Sequence, residues 1–377
     1  MQMTVLRAAL SLAAALAAVL APTPALSEHL IAVVVTRGST HQPHGSDVAA
    51  GAEAAVDRLN RSGGVLGERA RVVTWSEDCT RDRARQVADE IARLRPLLVV
   101  GHLCAGAALA AAPIYARAGI LVIVPGVRHP ALTAVANRPL VLRLAGREDR
   151  LTADMVSFIR NSFPAERIAI VADRTRQAGA LAAAVTAELG RAGMALALSE
   201  RIESGEKSYD AVAARMRASR AGVVVMPAQP IELGVLAASL ERAGVPAPLV
   251  GTDILAVPAV VPTAERAGRR LILMLPWTGL EQRSPAPAST SSAGAAAGSD
   301  VRRRAEAAVE IWADAARRAG TVTAASVAAA ARITAAPTVA GPIRFDEAGD
   351  AIVPSYLPHT WHDGAWRPIA HEGGAPR

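Results

Sequence analysis

The chain carries few residues whose type and spacing suit catalysis or metal binding. His41 lies close to His44, and His359 lies close to His362, but no carboxylates converge on either pair, so loop or strand histidines without a ligand role are the better interpretation. A nucleophile elbow, a Walker loop, an HExxH motif and paired CxxC motifs are all missing from the sequence. The residues therefore predict neither an enzyme nor a metal site.

One segment has the form of an anion-binding turn. Residues 101–106 (GHLCAG) end an apolar run and open an Ala-rich helical stretch, so free backbone N–H groups at the helix N-terminus can attract a carboxylate or phosphate. The glycines do not match GxGxxG, and no acid follows at the dinucleotide spacing. No cofactor is expected.

The two cysteines, Cys79 and Cys104, favour a disulfide. A metal site would need further ligands at suitable spacing, and an oxidising compartment favours a bridge. Such a bridge contributes about 3 kcal/mol in the chain-entropy model. Two buried free thiols are the alternative.

Short apolar runs alternate with longer amphipathic stretches in two successive series. The first predicts strands 30–36, 71–75, 97–101 and 120–124 with helices 47–61, 81–94 and 105–117. The second predicts strands 167–172, 195–200, 222–226 and 248–251 with helices 176–192, 210–218 and 231–243. Continuously apolar strands separated by helices indicate parallel sheets covered on both faces. The fold class is therefore α/β, with two doubly wound Rossmann-like lobes joined near residues 140–147.

Ligands of such sheets bind beyond the carboxyl ends of the strands. The segments that should line the cleft are 37–46, 102–106, 126–129, 173–177, 227–230 and 252–255.

A segment of different composition lies at 282–299 (QRSPAPASTSSAGAAAGS). It has too little apolar surface to offset its ordering entropy. It is predicted to be a surface loop before a helix over 300–319.

The overall charge does not indicate nucleic-acid binding. The net charge is +7, but the arginines are scattered, with no basic run longer than 302–304 and no interleaved aromatics.

The N-terminus predicts a signal peptide over 1–27. It has Arg7, then an apolar run over 8–21, and small residues at Ala25 and Ser27. An uncleaved anchor is the alternative, although the run is short for a membrane span. A soluble, periplasmic mature protein is expected.

Several stretches carry a family resemblance. They are IAVVVTRGS (31–39), GAEAAVDRLNRSGGVLG (51–67), EDC (77–79), VVGHLCAGA (99–107), GILVIVP (119–125), RIAIVAD (167–173), SGEKSYDAVAARM (204–216) and GPIRFDEAGD (341–350). In order and over nearly the whole chain, they resemble the leucine/isoleucine/valine-binding proteins of bacterial ABC transporters, which have the type I periplasmic binding fold. The resemblance implies a Cys79–Cys104 disulfide and a three-segment hinge crossed near Gly146, Met274 and Pro354. The first lobe would hold 28–146 and 275–354, including the 282–299 loop, and the second 147–274 and 355–377.

The resemblance also implies where the ligand binds, and the residues there depart from the family. The two hydroxyl positions that hold a carboxylate are Ala105 and Arg128, and the acid that holds an ammonium is Asp253. The aromatic positions of the cleft are His44, Gln177 and Gln229, while backbone donors around Leu103, Cys104, Ala105 and Gly126 remain. Either Arg128 grips an acidic group of the ligand, or it pairs with a nearby acid or points to solvent and the site is degenerate.

The expected function is that of a non-enzymatic binding component of an ABC importer. Because the aromatic walls are lost, a small polar or carboxylate-bearing solute is expected rather than an aliphatic amino acid. The expected partners are this solute and a membrane permease, for a protein that acts as a monomer. The alternative is a sensing or accessory protein that acts on a membrane receptor or redox enzyme.

Overall fold

The apolar runs form two separate sheets. The computed structural model describes residues 28–38, 42–134, 139–267, 270–277, 293–362 and 364–369. The first sheet has five parallel strands in the order β2-β1-β3-β4-β5. Its strands are β1 (Glu28–Thr36), β2 (Arg69–Glu77), β3 (Leu98–Val100), β4 (Leu121–Val124) and β5 (Val141–Arg143).

Helices cover both faces of this sheet. In β1, Ile31 and Val33 belong to one buried cluster, and the intervening Ala32 and Val34 belong to another. Because successive side chains of a strand point to opposite faces, each face has its own core. The helices of this first lobe are α1 (Gln42–Arg61), α2 (Arg81–Leu94), α3 (Ala105–Ala118), and, from later in the chain, α9 (Ala293–Ala319) and α10 (Ala324–Ile333).

The second sheet has seven strands in the order β14-β13-β10-β9-β8-β6-β7. The strands β6 to β10 are parallel, while β13 and β14 run antiparallel to their neighbours. The strands are β6 (Ile168–Asp173), β7 (Leu196–Ile202), β8 (Val223–Val225), β9 (Leu249–Thr252), β10 (Leu271–Pro276), β13 (Tyr356–His362) and β14 (Ala365–Pro368). The helices of this second lobe are α4 (Leu151–Ser162), α5 (Arg176–Arg191), α6 (Asp210–Ser219), α7 (Pro230–Arg242) and α8 (Val261–Ala267). The predicted α/β class with two doubly wound units is confirmed.

The chain passes between the sheets three times. It leaves the first sheet after β5, returns after β10 to α9 and the hairpin β11 (Ala336–Thr338) and β12 (Gly341–Ile343), and leaves again before β13. We call these connections the first, second and third crossings. The exact lobe boundaries at Gly146, Met274 and Pro354 stay predictions.

Some elements differ from the sequence prediction. The segment 140–147 was expected to be a connection, but it contains β5, and α4 was not predicted. The helix predicted over 300–319 begins at Ala293, so part of the low-complexity segment is helical. Its alanines have the highest helix propensity, and extending an existing helix needs no new nucleus.

Other predictions fall outside the described residues. These are the signal peptide (1–27), His41, the remainder of the low-complexity segment (282–292) and the end of the chain after residue 369. Among the helices that are described, none has the length and apolar character needed to cross a membrane.

Candidate functional site

The predicted anion-binding turn lies at the carboxyl end of β3. Cys104 is the N-cap residue of α3 and makes no side-chain capping hydrogen bond, and Leu103 and Ala105 flank it. Cys104 is bonded to Cys79, with 5.4 Å between their Cα atoms, so the predicted disulfide is confirmed. The bridge attaches the start of α3 to the loop that follows β2.

Gly126 approaches this turn closely. A Cβ atom at Gly126 would lie 2.9 Å from Cδ2 of Leu103, which is closer than real side-chain contacts allow. The loops after β3 and β4 therefore meet, as expected for neighbouring parallel strands. Their contact brings Leu103, Cys104, Ala105 and Gly126 into one region of the first lobe.

Arg128 occupies the place where the crossings meet. Its Nε donates to the carbonyl oxygen of Gly146 at 3.0 Å, and one terminal nitrogen donates to the carbonyl oxygen of Ser355 at 3.1 Å. Its guanidinium carbon lies 4.3 Å from the ring centroid of Tyr356, a cation–π distance. Among the described residues, no carboxylate oxygen lies within 4.0 Å of this guanidinium. Its partners are therefore backbone carbonyl oxygens and an aromatic ring, and the two alternatives for Arg128, a grip on an acidic group of the ligand or a degenerate site, stay predictions.

Ser355 joins all three crossings. Its carbonyl oxygen accepts from the Trp277 N–H at 3.0 Å as well as from Arg128, and its Oγ accepts from the Arg147 N–H at 3.0 Å. Only glycine fits at position 146 beside Ser355, because a Cβ atom there would lie 2.5 Å from the Ser355 Cα atom.

A buried ion pair supports the loop that carries Arg128. Arg143, at the end of β5, is fully buried and bonds Oδ1 of Asp350 through Nε (2.8 Å) and Nη2 (2.5 Å). Its Nη1 donates to the carbonyl oxygens of Arg128 (3.2 Å) and His129 (2.7 Å), and its Nη2 also donates to Oγ1 of Thr133 (2.7 Å). All five N–H donors of this guanidinium therefore have acceptors. Burial lowers the pKa of Arg143, and the nearby Asp350 acts in the opposite direction.

In the second lobe, Asp173 connects two predicted cleft segments. This fully buried carboxylate accepts from the N–H and hydroxyl of Thr175 and from the N–H of Gln229 at 2.9 Å. Gln229 is the N-cap residue of α7, and Gln177 is an exposed residue in the first turn of α5. Asp173 thus brings the starts of α5 and α7 together.

Asp253 is exposed at the end of β9 and lies near Tyr356. Burial raises the pKa of Tyr356; the positive charge of Arg128 lowers it, and the negative charges of Asp253 and Glu148 raise it further. Asp253 of the second lobe and Arg128 of the first therefore both act on one tyrosine. Tyr356 and Ser355 were missed by the sequence prediction.

His44 lies near the carboxyl end of β1. It is half-buried in the first turn of α1, where the next residue, Gly45, packs against the backbone of Thr36 at the end of β1. A Cβ on Gly45 would lie 2.3 Å from the Thr36 carbonyl oxygen, so this close approach requires glycine.

Behind the disulfide lies a buried acid. Glu77 Oε1 accepts from the Thr36 hydroxyl at 3.0 Å, and Oε2 accepts from the Cys79 N–H at 2.7 Å. Burial favours a raised pKa for Glu77, but His102, the Cys79 N–H and Thr36 outweigh it, so the pKa is lowered. Glu77 and the two cysteine sulfurs form one potential metal-ligand group among the described residues, yet the sulfurs are bonded to each other and offer no thiolates.

A cavity of about 490 Å³ lies beside the crossings. It is lined from the first lobe by residues including Ala145, Asp346 and Val353, and from the second by Thr152 and Arg191. None of the predicted ligand-binding residues lines it. It is therefore a separate feature from the predicted cleft.

Two α/β lobes are thus joined by three crossings, and the guanidinium of Arg128 is anchored where these crossings meet. The model of the periplasmic binding protein family matches residues 30–360. The chain therefore belongs to the periplasmic binding protein family, as the sequence resemblance predicted.

Individual relatives agree with this membership. An amino acid binding protein of Pseudomonas aeruginosa is 30% identical over 234 residues, which cover 61% of this chain and 62% of that protein. The Leu/Ile/Val-binding protein BraC3 of Rhizobium johnstonii is 27% identical over 331 residues, covering 85% of this chain and 88% of the relative. The structure of an ABC transporter substrate-binding protein from Desulfitobacterium hafniense in complex with leucine has a TM-score of 0.62 at 19% identity, covering 91% of this chain and all of that one.

Proposed function

We propose that the protein is the substrate-binding component of an ABC importer of the branched-chain amino acid type. It binds a small polar, carboxylate-bearing solute between its lobes and delivers it to a membrane permease without converting it. The relatives named for amino acid binding support the transport role. The observation that carries the ligand class is Arg128, a partly buried guanidinium with no carboxylate in salt-bridge contact among the described residues.

Arg128 is a suitable carboxylate-binding group because it is already held in place. Two of its five N–H donors are bound to the Gly146 and Ser355 carbonyl oxygens, so other donors of the guanidinium remain for a ligand. Carbonyl oxygens do not neutralise its charge, and a carboxylate can bond it in bidentate geometry. Asp253 offers the opposite charge from the second lobe, so a zwitterionic amino acid matches both groups.

The remaining positions favour a polar ligand. His44, Gln177 and Gln229 supply hydrogen-bonding groups where an aliphatic side chain would need apolar walls. Leu103, Cys104, Ala105 and Gly126 supply backbone donors at the start of α3 and the adjoining loop, where a carboxylate is favoured.

Ligand binding can be tested by a thermal-shift screen of amino acids, short carboxylic acids, amides and aromatic acids, followed by calorimetry. A ligand at 100 times its Kd stabilises the protein by about 2.7 kcal/mol. If no compound stabilises the protein at millimolar concentration, the transport proposal is contradicted.

For an anionic ligand, Arg128→Ala should cost about 1.5–3 kcal/mol, a loss of about 10- to 150-fold in affinity. The matched control is Arg215→Ala, which removes an exposed arginine paired with Glu200, away from the predicted cleft segments. Unchanged affinity in Arg128→Ala would reject the assigned carboxylate contact.

Export is part of the proposal. The signal peptide predicts cleavage after Ser27, so the mature protein in the periplasm should begin at Glu28 and behave as a monomer. N-terminal sequencing of periplasmic protein and light scattering after size exclusion test these two expectations. Retention of residues 1–27 would support the uncleaved anchor.

A further inference from the structure

The ligand-binding position at Arg128 is mechanically connected to the hinge. Its side chain bonds the first crossing at Gly146 and the third at Ser355, and stacks on Tyr356, the first residue of β13. Ser355 in turn receives the N–H of Trp277 from the second crossing. A single guanidinium therefore acts on the residue at which all three crossings are joined.

The backbone of Arg128 is held independently of its side chain. Its carbonyl oxygen accepts from Nη1 of Arg143 at 3.2 Å and from the N–H of Glu148 at 3.1 Å. Glu148 begins the short 3-10 turn that leads into α4 of the second lobe. The guanidinium thus cannot shift freely toward a ligand, because both ends of the residue are attached to the crossings.

A second contact makes the crossings sensitive to small changes. The first and third crossings touch at Gly146 and Ser355, where even one added methyl group would meet backbone atoms. Any change in the lobe angle that alters this contact must also alter the two carbonyl oxygens that Arg128 bonds.

We propose that Arg128 is a positioning residue for lobe closure: its bonds to Gly146 and Ser355 set the lobe equilibrium, and a solute bound to its remaining donors changes that equilibrium through the same guanidinium. The inference rests on the proposed function for the identity of the solute, but the hinge bonds exist without one. A ligand shifts such an equilibrium by its differential affinity for the two states. If the bonds of Arg128 to Gly146 and Ser355 differ between the two lobe angles, they provide this difference in ligand affinity.

Amide hydrogen exchange of the ligand-free protein tests the hinge role. Three amides are informative. The Arg147 N–H donates to Ser355 Oγ, and the Trp277 N–H donates to the Ser355 carbonyl oxygen. The Glu148 N–H donates to the Arg128 carbonyl oxygen. In Arg128→Ala and Arg128→Lys, these amides should exchange about threefold to tenfold faster, the effect of losing one or two ordinary hydrogen bonds at an opening segment. Lysine keeps the charge but is a point donor that cannot reproduce the planar fork.

Gly146→Ala provides an independent perturbation of the same contact, and Arg215→Ala is the surface control. Gly146→Ala should accelerate exchange at the same amides, and the control should leave them unchanged. Small-angle scattering of the ligand-free Arg128→Lys protein should show a changed distribution of lobe separations. If Arg128→Ala does not fold, Arg128→Lys and Gly146→Ala carry the test.

The outcomes separate the two proposals. Unchanged exchange and scattering in folded Arg128→Lys overturn the hinge role, and a loss of ligand affinity in that protein leaves the proposed function intact. Faster exchange in a protein that binds no compound of the screen supports the hinge role and contradicts the proposed function.

Discussion

Asp350 is expected to be a principal determinant of the stability of the first lobe. It is 7% exposed and is bonded by two N–H donors of Arg143, which has no exposed surface at all. Asp350→Ala leaves these two donors and the full charge of a buried guanidinium without their acceptor. Breaking a buried pair in this way costs about 3–5 kcal/mol. At about 2–4 °C per kcal/mol for a lobe of this size, the midpoint of its unfolding should fall by about 6–20 °C.

The assay is urea unfolding followed by circular dichroism, with calorimetry to resolve the lobes, since two lobes need not unfold together. Asp82→Ala is the control: its carboxylate is 87% exposed and pairs with Arg85 at 2.8 Å, so about 0.5 kcal/mol or less is expected. The double variant Arg143→Met/Asp350→Ala should lose less stability than the two single losses added together, because no charge is left buried. A loss below about 1 kcal/mol in Asp350→Ala would refute the reasoning.

Two further predictions concern the disulfide and the acid behind it. Replacing both Cys79 and Cys104 by serine should lower the free energy of unfolding by about 3 kcal/mol in urea, because a bridge across 25 residues of sequence no longer restricts the unfolded chain; equal stability of the variant and the oxidised protein would contradict this. The lowered pKa of Glu77 means that its contribution to stability is present above its ordinary pKa of 4.5 and is lost as the pH falls through the lower folded-state pKa. Glu77→Gln should therefore be less stable than the parent protein at neutral pH, with the difference shrinking in acid unfolding curves below pH 4.5; a difference independent of pH would show that Glu77 is not held as a carboxylate.

The sequence predicts most of the sheet strands because their apolar runs are continuous. The run at β1 is buried on both faces, and no helical interpretation fits its β-branched residues as well. In contrast, β5 has only three residues, too few for a period to be recognised. The helix α4 (LTADMVSFIRNS) has polar residues between its apolar ones and no capping side chain at Arg150, so neither its start nor its period is marked.

The sequence predicts only those residues of the candidate site whose position follows from where a strand ends. Leu103, Cys104, Ala105 and Gly126 follow strand ends, and parallel strands bring their carboxyl ends to one edge of a sheet. The partners of Arg128 are different, because Ser355 is 227 residues away in sequence. No periodicity or local motif indicates that these two residues meet, and Tyr356 was missed for the same reason.

The length of the Arg128 side chain determines which groups it contacts. The Arg128 side chain is long enough for its guanidinium to reach the carbonyl oxygens of Gly146 and Ser355. Those bonds satisfy the donors without cancelling the charge, so the cation stays attractive to an anion while its position is fixed. Because fixing a long side chain in advance removes an entropy cost from binding, the same contacts that hold the crossings together should also favour the proposed binding of a carboxylate. Affinity for an anionic solute and the resistance of the hinge to opening should therefore change together in variants at Gly146, even though Gly146 need not touch the solute.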